Sequence, residues 1–111
     1  MLSAPFWVDN TPPEVQVLKS TVAGGVAEIQ FVAEDRTSPL RGAETSLDGK
    51  EWHDALSDDG IVDSRKETFT VKLTRLEPGE HVLALRAFDT AGNAGVGKAV
   101  IRVPAAGGTT R

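Results

Sequence analysis

Residues 27–33 read Ala-Glu-Ile-Gln-Phe-Val-Ala, and their order decides the fold. Ala27, Ile29, Phe31 and Ala33 fall on one phase of a two-residue period, with Glu28, Gln30, Val32 and the next residue, Glu34, on the other. A strand sends successive side chains to opposite faces, so this segment offers one face to an apolar core. The same period returns further along the chain. Phe69, Val71 and Leu73 alternate with Thr68, Thr70 and Lys72; His81, Leu83, Leu85 and Ala87 alternate with Val82, Ala84 and Arg86; Ala99, Ile101 and Val103 alternate with Lys98, Val100 and Arg102. Toward the amino end, Val15 and Val17 alternate after the Pro12-Pro13 breaker. Five strands follow, and nothing favours a long helix.

The stretch between Asp35 and Lys66 is less regular, but Leu47-Asp48-Gly49-Lys50 is a hairpin signal. Asp-Gly supplies the two positive-φ positions of a tight type I′ turn. A strand near residues 43–47 and another near 51–56 are expected on either side of it. Residues 57–64, Ser-Asp-Asp-Gly-Ile-Val-Asp-Ser, are polar and contain glycine, so they read as a connection crossing between sheets. The total is about seven strands, and the expectation is an all-β chain folded as an antiparallel two-sheet β-sandwich.

At 111 residues the chain fits one domain able to bury a core without a metal or a disulfide. Its hydrophobic content of 40% and charged content of 25% are those of a globular domain, which argues against collagen-like, disordered and membrane classes. No apolar run approaches the ~18–20 residues that span a bilayer, so no membrane insertion is expected. Met1–Asn10 lacks a basic start followed by an apolar stretch, the pattern of a signal peptide. A net charge of -4 with no basic cluster beyond Arg65-Lys66 makes nucleic acid a poor partner. Cysteine is absent, which rules out disulfide and thiolate chemistry. Residues 105–111 read as a flexible tail and Asp9–Pro13 as a stiff linker. Residues 1–8 read either as an N-terminal extension or as a first strand, leaving 9–104 for the sandwich.

Two segments carry a family resemblance. Leu76-Glu77-Pro78-Gly79 followed by His81–Asp89 resembles the corner and penultimate strand of fibronectin type III and bacterial immunoglobulin-like domains, with His81 where tyrosine is usual. Asp89-Thr90-Ala91-Gly92-Asn93 is similar to the turn before the last strand of such modules, and Asp9-Asn10-Thr11-Pro12-Pro13 to the linker by which they follow one another. The resemblance implies an immunoglobulin-like sandwich. It also implies an accessory or spacer module of a larger secreted or cell-surface bacterial protein, with neighbouring domains as partners and no catalytic role.

Candidate sites are few. His81, on the inward phase, reads as a satisfied structural imidazole, and its replacement of tyrosine is expected to weaken the corner hydrogen bond. Trp52 beside the Asp48-Gly49 turn suits either a cap on the core or, with His53, Trp7 and the 57–64 loop, a platform for a glycan or protein ligand. Asp9, Asp35, Asp89 and Asn93 have the hard oxygen donors that suit Ca²⁺ and are expected near one pole. The other reading of Asp35 and Asp89 is acceptance of hydrogen bonds from turn amides. Apart from that possible Ca²⁺, no cofactor is expected. The isolated domain is expected to be monomeric.

Overall fold

The computed structural model describes residues 11–60 and 64–104. Among these residues seven strands follow one another: β1 (Glu14–Ala23), β2 (Val26–Glu34), β3 (Leu40–Leu47), β4 (His53–Ala55), β5 (Lys66–Leu73), β6 (Gly79–Asp89) and β7 (Ala94–Val103). They form two antiparallel sheets, one in the order β1-β2-β5 and the other β4-β3-β6-β7. The reading of residues 1–8, with Trp7, and that of the 105–111 tail lie outside the described residues.

The inward phases named from the sequence meet in one core. Ala27, Ile29, Phe31 and Ala33 from β2 and Phe69 from β5 face Leu83, Leu85 and Ala87 from β6 and Ala99, Ile101 and Val103 from β7, all of them buried. Phe31 and Phe69 are direct cross-strand partners and both are fully buried. The turn at Asp48-Gly49 has φ of 57° and 74°, the pair of positive angles a type I′ hairpin requires.

β1 is the least regular strand. Its register against β2 shifts between Val17 and Lys19, so Leu18 is an extra residue and stands 54% exposed. β1 also lies across the start of β7. A Cβ placed on Gly95 would stand 1.8 Å from the carbonyl oxygen of Pro13, and one on Gly97 would stand 2.6 Å from Val15 Cγ1. The two glycines, alternating with Val96 and Lys98, are what lets β1 rest on the inner side of β7 and close that edge of the sandwich.

The termini of the described chain sit at opposite poles. Pro13 lies beside Gly95, and Glu14 pairs with Glu34, so the chain comes in where β2 ends and β7 begins. Val103 pairs with Gly79 at the far end of β7. The first is the leading pole and the second the trailing pole.

Candidate functional sites at the two poles and on the outer sheet face

At the leading pole Asp35 directly follows β2 and Asp89 ends β6, and they are 2% and 0% exposed. Asp35 Oδ1 accepts hydrogen bonds from the amides of Thr37 (2.9 Å) and Ser38 (2.8 Å). Asp89 Oδ1 accepts from the amides of Ala91 (2.9 Å) and Asn93 (2.8 Å), and Oδ2 from Asn93 Nδ2 (3.1 Å). These are Asx-turn geometries, in which a carboxylate organises the loop that follows it. Burial opposes the charge on Asp89, but the hydrogen bonds from Asn93, Asp35 and Ala91 outweigh it and hold the carboxyl below its usual range. Asp35 Oδ2 is buried and has no hydrogen-bond partner, and the Asp89 carboxyl is its neighbour. Of the four residues expected to converge here, Asp35, Asp89 and Asn93 do, and Asp9 lies outside the described residues. Among the described residues no group of three or more acidic, histidine or cysteine side chains could hold a metal.

At the trailing pole His81 joins two turns. Its Nδ1 is 2.7 Å from Asp48 Oδ2 in the hairpin and its Nε2 2.7 Å from the carbonyl oxygen of Glu77 in the β5–β6 connection. Asp48 Oδ1 also accepts from the Val82 amide at 2.8 Å. Both ring nitrogens face acceptors, so the imidazolium, donating twice, is the form that satisfies both. Hydrogen bonding to Asp48, then to Glu77, pushes the imidazole up from its ordinary value, and the same contact holds the Asp48 carboxyl down. The corner hydrogen bond is therefore kept despite the missing tyrosine, and a link to the hairpin is added.

The outer face of the four-stranded sheet carries what sequence reasoning missed. Trp52 is neither a core cap nor fully open; it lies on this face, 37% exposed, with the Arg86 guanidinium 4.0 Å from its ring centroid. Arg86 also stands 5.3 Å from the Phe88 ring and donates to Glu44 Oε1 at 2.7 Å, and Arg41 lies 5.0 Å from Phe88 on the other side. A row of alternating aromatic rings and guanidinium groups runs along the sheet, each contact of the cation–π kind. The local signal was Arg86-x-Phe88, two residues apart on the outward phase of β6. Its contact with Trp52 is long range and left no trace in the sequence.

His53 is exposed in β4, opposite Thr45. The trough beside Trp52 is lined by Ser46, Gly49, Val82, Ala84, Val96 and Lys98. Described residues of the 57–64 loop line other depressions: Gly60 one with Arg41, Asp54, Leu56 and Phe88, and Asp58 and Asp59 another with Lys66 and Thr68. Asp58 turns toward the three-stranded sheet. Burial works against its charge, but hydrogen bonds from Thr70, Thr68 and Gln30 prevail and hold its carboxyl below the usual range.

No protein family description and no curated protein matches the chain by sequence. Solved structures do match it by fold. The PKD1 domain of the Vibrio cholerae metalloprotease PrtV superposes with a TM-score of 0.62 at 12% identity, covering 84% of this chain and 98% of that one. The PKD1 domain of Vibrio anguillarum Epp gives 0.65 at 10% identity, covering 87% and 99%. The sulfane dehydrogenase SoxCD of Paracoccus pantotrophus gives 0.60 at 20% identity, covering 75% of this chain and 23% of that one. With seven strands in two antiparallel sheets among the described residues and two whole PKD domains superposing on most of the chain, it has an immunoglobulin-like sandwich fold.

Proposed function

We propose that this chain is a non-catalytic spacer module of a larger secreted or cell-surface protein, set between neighbouring domains. The observation that carries the reading is the placement of its ends: Pro13 lies at the leading pole beside Gly95, and Val103 at the trailing pole beside Gly79. A chain that comes in at one pole and leaves at the other extends an assembly by its own length. The structural similarity to PKD domains of two Vibrio proteins, one of them a metalloprotease, supports an accessory role beside other domains. The hydrogen bonds that fix Asp35, Asp89 and His81 stiffen the two poles, as a spacer requires.

The test is a head-to-tail fusion of two copies through their own terminal residues, followed by small-angle X-ray scattering. At a rise of about 3.3 Å per residue, β7 spans roughly 33 Å, so the second copy is expected to lengthen the particle by about that much. A tandem folded back to nearly the length of one copy rejects the spacer reading.

A further inference from the structure

The outer face of the four-stranded sheet carries a trough and, toward the β4 edge, an exposed leucine, Leu56. The central positions Ser46 and Ala84 are small. Trp52 rises on one side of them and Val96 with Lys98 on the other, leaving a trough of about 400 Å³ that Gly49 and Val82 also line. The apolar surface is open, with Val96 49% and the adjoining Val100 57% exposed. Three described ion pairs join His81 to Asp48, Arg86 to Glu44 and Arg102 to Glu80, and Lys98 belongs to none of them. The trough therefore combines an apolar interior with a free cation at its rim.

Asp54 in β4 and Leu56 just past its end line a depression on this face together with Glu44 and Phe88. Leu56 is 74% exposed, and Asp54 on that face pairs with Glu44 in register. An exposed leucine beside an aspartate is the chemical complement of an apolar trough beside a lysine. Each copy thus presents both halves of a charge-complementary contact, Asp54 beside Leu56 and Lys98 beside the trough.

We propose that this face binds a second copy of the chain in a two-fold dimer, Leu56 of each copy seated in the other's trough and Asp54 meeting Lys98. A two-fold axis lying in the interface, midway between Leu56 and the trough, makes both contacts at once, so the assembly closes at two. The proposal departs from the monomer expected from the sequence because the trough brings together residues of three strands, β3, β6 and β7, with Gly49 and Trp52. This inference goes beyond the spacer reading and fails separately from it, since self-association is measured on the single chain.

Sedimentation velocity across micromolar to millimolar concentrations tests it. The chain is expected to shift from monomer to dimer, and added salt is expected to weaken the dimer. Leu56→Ser and Lys98→Glu each raise the dissociation constant by roughly tenfold or more, as loss of a central anchor or a reversed charge does. The double variant Lys98→Glu with Asp54→Lys restores association, because both partners of the pair are reversed together. All positions are exposed, and circular dichroism checks that the variants fold. A chain that stays monomeric throughout overturns the proposal and leaves the trough to a different partner. A dimer indifferent to Leu56→Ser, or one that the double variant does not rescue, also overturns it.

Discussion

His81 is a residue whose protonation carries structure. Its pKa is raised in the folded chain, so the stability it contributes is fully present below the unfolded value of 6.5 and is lost as pH rises through the raised folded value. Asp48 is lowered, so its contribution is present above 3.8 and is lost as pH falls through its depressed value. The pair contributes most between those limits. A urea titration repeated from pH 5 to pH 9 is expected to show midpoints falling on the alkaline side. His81→Phe is expected to flatten that fall; an equally steep decline in the variant would assign it to another group. Asp89 acts differently, through three hydrogen bonds accepted by one buried carboxylate. Hydrogen bonds to charged groups contribute roughly 1.5–3 kcal/mol each, so Asp89→Ala is expected to cost about 3 kcal/mol or more in chemical denaturation. With turn amides already on both carboxylates, the melting temperature is expected to be equal in calcium and in chelator. A rise of several degrees with calcium would instead assign a cation to Asp35 and Asp89.

Among the strands, what could be read in advance depended on how local the determinant was. Alternation in β2, β5, β6 and β7 is written in consecutive residues, and so is the positive-φ pair at Asp48-Gly49, which is why these elements and their buried faces were legible. Gly95 and Gly97 were not. A glycine in a strand reads only as a weak spot, and its purpose depends on Pro13 and Val15, some eighty residues earlier in the chain. Trp52 was open to two readings for the same reason, since Arg86, its stacking partner, lies on another strand. The pole where Asp35 and Asp89 meet was legible because Asp35 directly follows the alternation of β2 and Asp89 closes that of β6, but their hydrogen-bonding partners needed the loops in place. Gly95→Ala tests this level most sharply. The added methyl overlaps the Pro13 carbonyl, and overpacking against backbone costs about 1–3 kcal/mol or more. The variant is expected to lose at least that much stability and to expose the amides of β1 to hydrogen exchange first. Unchanged protection in β1 would mean that it does not depend on resting against β7.

Over the whole molecule, the two sheets and the β1 crossing fix where the chain comes in and where it leaves. The spacer reading depends on that placement more than on any side chain, and the family resemblance in Leu76–Asp89 agrees with it without supplying it. The chain contains no cysteine, so two introduced thiols are its only labelling sites. Spin labels on Pro12→Cys and Pro104→Cys, both at exposed positions, report the distance between the poles by double electron–electron resonance. Nine residues of extended β7 separate those poles, so the account predicts a single narrow distribution centred at about 30–40 Å. A distribution centred below about 15 Å would place both ends at one pole and contradict it.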